Sequence, residues 1–237
     1  MSLRANYEDI VKLSVIGEIA SPRRAFSPYL VTHDGRAVTV PGSGGITYNV
    51  RVGDRALGWA CDHVEPGVTI RNKDAEENSA LATLGCIGNE AHVVSGEGKG
   101  SIGTVTGKHG GAEHMMVDFA PEVLERLTIG DRIQVRAYGR GLVLLDAPEV
   151  KLLNMSVQLL RAIPAEVSDS GVLEIPVAGI VPPELMGSGV GSSPERGDYD
   201  IQTHDRDVLD AHGLANLKLG DLVAVRDEVA ELEVRQA

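Results

Sequence analysis

The stretch Leu127-Thr-Ile-Gly-Asp-Arg-Ile-Gln-Val-Arg136 joins a tight turn to an alternating run. It returns as Leu217-Lys-Leu-Gly-Asp-Leu-Val-Ala-Val-Arg226, with five of ten positions identical. A shorter echo stands at Val50-Arg-Val-Gly-Asp54. Gly130 and Gly220 can adopt positive φ without steric cost, and the aspartate that follows can accept backbone N–H groups the turn leaves open. Gly-Asp turns of this kind resemble those that lead into the strands of small closed β-barrels, and an ordinary surface turn before a strand is the plain alternative. The repeat therefore predicts a mainly β fold of two barrel-like or layered β units with a few short peripheral helices. The boundary is expected near Pro148, with an N-terminal β-rich domain over 1–148 and a C-terminal one over 149–237.

Outward from the repeat, period-2 patterns and β-branched clusters predict strands at Asp9–Val15, Ala37–Val40, Thr47–Val52, Ala56–Asp62 and Ala91–Val94. Further strands are expected at Ile102–Thr106, His114–Phe119, Arg132–Ala137, Leu142–Leu145, Val172–Val177 and Leu222–Arg226. Helical signals are fewer: Asp74–Leu84 with Gly85 as its stop, Pro121–Leu127, Val150–Leu160 and Asp205–Ala211. Strands and helices do not alternate, which disfavours a doubly wound sheet.

Composition narrows the function. Acidic residues outnumber basic ones by 34 to 22, for a formal charge of −12, and this balance repels phosphate backbones. Two Phe, one Trp and five Tyr leave little material for stacking bases. Neither a nucleic-acid nor a membrane partner is expected. Two cysteines, no signal-peptide pattern and no long apolar run predict a cytoplasmic protein.

Glycines, 28 in all, gather in loops at 41–45, 96–111 and 179–197. Gly98-Lys-Gly-Ser-Ile-Gly103 matches the letters of a dinucleotide fingerprint, yet Thr-Val-Thr-Gly-Lys follows, which cannot open the phosphate-binding helix. No Walker loop, nucleophile elbow or His-Glu-x-x-His helix motif occurs.

The densest chemistry lies in Gly107-Lys-His-Gly-Gly-Ala-Glu-His-Met-Met-Val-Asp-Phe119. On a strand, His114, Met116 and Asp118 share one face, with His109 on a glycine-freed loop beside them. An imidazole and a carboxylate on one face suit a divalent metal or an acid–base pair, and a simple hydrogen-bonded pair is the plain alternative. Asp62, His63 and Glu65 precede a Pro-Gly turn, and Glu-Pro-Gly also reads as a turn alone. In extended chain Asp198 and Asp200 point one way, and paired carboxylates call for a cation or for solvent. Lys99, Lys108 and Arg140 among glycines suit a small anion or merely balance the acidic surface.

Several of these segments carry a resemblance. Gly17-Glu-Ile-Ala-Ser-Pro22, Ala82-Thr-Leu-Gly-Cys-Ile-Gly-Asn-Glu-Ala91, the 107–119 run, Leu185-Met-Gly-Ser-Gly-Val-Gly191 and Gly197-Asp-Tyr-Asp-Ile-Gln-Thr203 resemble the prokaryotic family known as domain of unknown function 4438. The resemblance spans nearly the whole chain. It implies a β-rich fold of small barrel-like or layered units and supplies no assigned catalytic residue.

The residues lead to a metal-dependent enzyme, of hydrolase or lyase type, acting on a small metabolite that is anionic or amide-bearing. The expected catalytic set is His63, His109, His114 and Asp118. The expected metal ligands are His114, Asp118, Asp198 and Asp200, around Mg²⁺, Mn²⁺ or Zn²⁺. Lys108, Gly110, Gly111, Glu113, Gly187 and Gly189 would contact the ligand. The competing expectation is a non-catalytic small-ligand-binding or structural module, and a homo-oligomer is expected in either case.

Overall fold

A computed structural model of the chain describes residues 3–23, 29–32, 34–168, 170–187, 195–203 and 205–226. The N-terminal strands are β1 (Leu13–Ile19), β2 (Leu30–Val31), β3 (Ala37–Val38), β4 (Ile46–Thr47) and β5 (Gly67–Arg71). Helix α1 (Ala75–Leu84) leads to β6 (Glu90–Val93), β7 (Ile102–His109) and β8 (His114–Asp118). After α2 (Pro121–Leu124) come β9 (Arg132–Ala137), α3 (Val157–Ala162), β10 (Glu166–Val167) and β11 (Leu173–Glu174). β12 (Gly179–Val181), α4 (Arg206–Ala211) and β13 (Val223–Val225) complete the order.

Six antiparallel strands close into a barrel in the order β1-β9-β6-β7-β8-β5, and β5 returns to β1 through Glu18–Arg71 and Ile19–Ile70. Closure leaves no long unpaired edge. The inward residues of each strand form one core, among them Ile19, Ile70, Ala91, Val105, Met115, Val117, Phe119, Ile133 and Val135. Since Met115 and Val117 point inward, His114, Met116 and Asp118 lie on the barrel's outer face. Helix α1 covers the barrel where Gly17 leaves room, for a Cβ there would sit 2.9 Å from Leu81 Cδ2. A second core gathers Leu57, Val181, Leu185, Leu209, Leu214 and Leu217 around the parallel pair β12–β13. A third gathers Leu142, Leu144, Ala147, Val157 and Leu160.

The repeated turn has one geometry in all three copies. Asp54, Asp131 and Asp221 each accept the backbone N–H three residues back, at 2.7, 2.9 and 2.8 Å, and the preceding glycines have φ of 97°, 92° and 96°. The first and third copies also pair with each other, through Gly53 N–H to Leu219 O and Leu219 N–H to Asp54 O, both 2.8 Å. The second and third copies thus open β9 and β13, and the first and third tie residues 53–54 to Leu219.

Several boundaries differ from expectation. The first strand runs over Leu13–Ile19 instead of Asp9–Val15, and the third helix starts at Val157, where the Ser156 side chain caps it. Ala56–Asp62 is not a strand. Gly58 has φ of 80° there, and the segment forms a wall of the cleft described below. Strand β5 shows no alternation because four of its five residues are buried, a pattern that hides a strand from period-2 reading. Gly85 does end α1, but with φ of −66°; a Cβ at this position would stand 2.4 Å from Met115 Cε, so contact rather than handedness requires glycine. After Gly98–Gly103 the chain continues as β7, with no helix to hold a pyrophosphate.

Candidate metal centre and cleft

His109 ends β7 and His114 opens β8, and the two face each other across the hairpin as register partners. The turn between them carries Gly111 at φ of 73° and Glu113 at 56°. On the neighbouring strand, Pro66-Gly67 turns the chain into β5. Gly67 takes φ of 72°, and a Cβ there would lie 2.4 Å from the Val117 carbonyl oxygen. This turn leaves the Glu65 carboxylate beside Thr69, whose hydroxyl donates to Oε2 at 2.6 Å, while the Gly44 amide donates to the same oxygen at 2.5 Å.

The other oxygen, Oε1, meets Nδ1 of His109 in a short hydrogen bond and stands 3.3 Å from Nδ1 of His114. Side-chain exposure is 3% for Glu65 and 1% for His114. Burial by itself would push the Glu65 carboxyl up, yet the bonds from His109, His114, Thr69 and Gly44 outweigh it and hold the group far below the usual carboxylate range. The Glu65 bond raises the His109 pKa against the opposing effect of burial, helped by the charges of Glu65, Asp198 and Asp200. His114 Nε2 is buried with no hydrogen-bond partner among the described residues. Ligand atoms of Glu65, His109 and His114 all lie within 4.8 Å of one another. Two imidazoles and one carboxylate, with an orphaned ring nitrogen, form a donor set that fits a divalent first-row metal ion.

This cluster sits at one side of a cleft of about 640 Å³ between the barrel's outer face and the second core. Glu65 and His109 line the cleft, joined by His63, Met116, Asp198 and Asp200. The His63 ring stacks on His109, with centroids 4.8 Å apart and planes 23° apart. Its Nδ1 is 3.3 Å from Asp62 Oδ2 and its Nε2 is 3.5 Å from Asp200 Oδ2. Asp198 Oδ1 accepts the Gly110 amide at 2.6 Å. Burial raises the Asp198 pKa, and the like charge of Asp200 adds to it, while the Gly110 amide and His109 act in the opposite sense.

The expected site residues therefore divide. His63, His109, Asp198 and Asp200 meet around the cleft, and His114 stands behind it against Glu65. His109 belongs to a strand and not to a free loop. Asp118 is elsewhere: it accepts a bidentate pair of bonds from Arg51 at 2.9 and 3.0 Å. Four residues along a strand separate side chains by about 13 Å, so sharing a face with His114 did not bring Asp118 to the Glu65, His109 and His114 cluster. Gly110 contributes its amide and Gly187 lines the cleft, its N–H bonded to Asp200 O at 2.7 Å. Gly111 and Glu113 shape the hairpin, with the Glu113 carbonyl held by Asn78 Nδ2 at 3.0 Å. Gly189 lies outside the described residues.

Lys108 does not reach the cleft. Its ammonium is buried and donates to Asn154 Oδ1 at 2.5 Å and to Glu195 O at 2.7 Å. Arg140 donates to the same two oxygens and to the carbonyls of Thr83 and Leu153. Burial, with Arg140 nearby, brings the Lys108 pKa down to about 7. Of the basic residues among glycines, Lys108 and Arg140 thus bind the protein's own oxygens. Glu65, which as part of Glu-Pro-Gly reads equally well as a plain turn, is the carboxylate that the metal set lacked. Its one local signal was the neighbouring Asp62-His63 pair.

Comparison with known proteins agrees with the fold. The N-terminal domain of unknown function DUF4438 matches residues 29–161, and its C-terminal counterpart matches residues 162–235. The crystal structure of TM1086 superposes with a TM-score of 0.90 at 47% sequence identity, covering 96% of this chain and 79% of that one. No curated protein matches. With both family domains matched in order and this structural likeness beside them, the chain belongs to the DUF4438 family.

Proposed function

We propose that the cleft is the active site of a metal-dependent enzyme, of hydrolase or lyase type, in which Glu65, His109 and His114 hold one divalent ion. The observation that carries this reading is the buried Glu65 carboxylate faced by two imidazoles, one of which keeps an unpartnered ring nitrogen. Two nitrogen donors favour Zn²⁺ or Mn²⁺ over Mg²⁺. Such an ion, when bound, activates water or polarises a carbonyl. Thr69 and Gly44 orient the Glu65 carboxylate from behind, and such supporting bonds fix ligand geometry. His63, stacked on His109 and bracketed by Asp62 and Asp200, is placed to move a proton at the cleft wall.

A second reading rests on the short Glu65–His109 bond. Without metal, that couple is an oriented acid–base pair of the carboxylate–imidazole kind. Elemental analysis of purified protein, before and after incubation with Mn²⁺ or Zn²⁺ and dialysis, separates the two. About one ion per chain is expected, lost in Glu65→Gln and His114→Ala and kept in Asp118→Asn. A wild-type protein that retains no ion, or a Glu65→Gln variant that retains it fully, overturns the metal reading.

A further inference from the structure

We propose that the substrate of this cleft is a small amine, an ammonium group on a compact apolar body, and that carboxylates and phosphates are excluded. The inference rests on the reading of the cleft as the active site and names what enters it. Four carboxylates line the cleft, those of Asp62, Glu65, Asp198 and Asp200, and among the described residues no lysine or arginine joins them. A divalent ion on Glu65, His109 and His114 would cancel two of those charges and leave the described lining net negative. An anionic ligand would meet like charge at close range, and such juxtaposition is a strong source of rejection.

Among the described residues, Lys108 and Arg140 are engaged by protein oxygens away from the cleft. Lys108 and Arg140 donate to Asn154 Oδ1, to Glu195 O and to the Thr83 and Leu153 carbonyls. The Arg55 guanidinium rests 4.9 Å from the Trp59 ring and, like Arg206, approaches Gly58 without joining the lining. The polar groups of the lining also lean toward acceptors. Asp198 spends one acceptor position on the Gly110 amide, out of the roughly four a carboxylate offers. The lining also includes Leu57, Trp59, Met116, Ile201, Leu209 and Leu217, apolar surface for the body of the ligand. The volume suits a molecule of metabolite size.

Three probes with one body and different heads test this on the metal-loaded protein: 2-phenylethylamine, 2-phenylethanol and 3-phenylpropanoate. Titration calorimetry and thermal shift are expected to show the amine binding about tenfold or more tighter than the carboxylate, with the alcohol between and the amine's advantage shrinking as salt rises. The Asp198→Asn/Asp200→Asn variant should lose that preference. Equal or tighter binding of the carboxylate, no amine binding at millimolar concentration, or an unchanged preference in the folded double variant overturns the proposal. Metal content is measured on the same samples. A protein that holds its ion yet ignores charge sinks the amine and keeps the metal; one that prefers the amine without an ion does the reverse.

Discussion

The Glu65 carboxylate and the His109 imidazole, 44 residues apart in the chain, share a short hydrogen bond through Oε1 and Nδ1 at the junction of the Pro66-Gly67 turn with the end of β7. The bond stabilises charge on both partners, so stability must follow pH in two directions. Glu65 titrates below its unfolded value, so its contribution is present above the ordinary carboxylate range and is lost in strong acid. His109 titrates above its unfolded value of 6.5, so its contribution is complete below that pH and is lost as pH rises through the raised folded value. Metal-free protein is expected to lose stability from this pair on the alkaline side of 6.5. Urea titrations from pH 5 to 9 check this, and His109→Gln should remove that component.

Lys108 acts in the opposite sense. Its folded pKa of about 7 lies below the unfolded 10.5, so the unfolded chain binds more protons between these values. Stability from Lys108 therefore rises with pH across that window. Replacing it by Met should flatten the alkaline rise in a pH series of denaturant midpoints. A Lys108→Met profile parallel to wild type above pH 7 would contradict the burial argument.

Asp118 is a structural partner of Arg51. Asp118→Asn should cost about 1 kcal/mol, as expected for a partly buried bidentate pair, and leave metal content unchanged. His114→Ala should lose the metal. The two variants lie on one strand face, so their contrast measures which residue the ion needs.

Gly67→Ala forces a side chain onto a backbone at positive φ and against the Val117 carbonyl. A loss of about 1–3 kcal/mol from the backbone conformation alone is expected, with the contact adding to it. Equilibrium unfolding gives the cost, and metal content reports whether Glu65 has moved.

The three Gly-Asp turns allow an internal comparison. A Cβ on Gly130 meets nothing within 4 Å, whereas one on Gly220 would lie 2.8 Å from Val52 Cγ1. Gly130→Ala should therefore cost about 1 kcal/mol for its φ, and Gly220→Ala more. Thermal unfolding of both variants tests the ranking.

Local chemistry was legible where the residues involved are neighbours. Gly130-Asp131 and its two echoes form the turn their letters imply, because positive φ and an Asx acceptor are properties of four consecutive residues. The alternation of 114–118 put His114 on one face, and α1 began at its Asp74 cap, whose side chain accepts from the Glu76 and Glu77 amides. Strand β5 stayed hidden because burial on both faces erases alternation, and Lys108 and Arg140 gave no sign that their partners would be backbone oxygens 13 to 87 residues away. The β class, the glycine turns and the acidic, His-bearing character of the cleft follow from residue types and short-range geometry. That Glu65 joins the pair of histidines while Asp118 goes to Arg51 is a property of the folded chain alone. That choice is made by barrel closure and strand register, which bring distant segments together by core packing that no local pattern encodes.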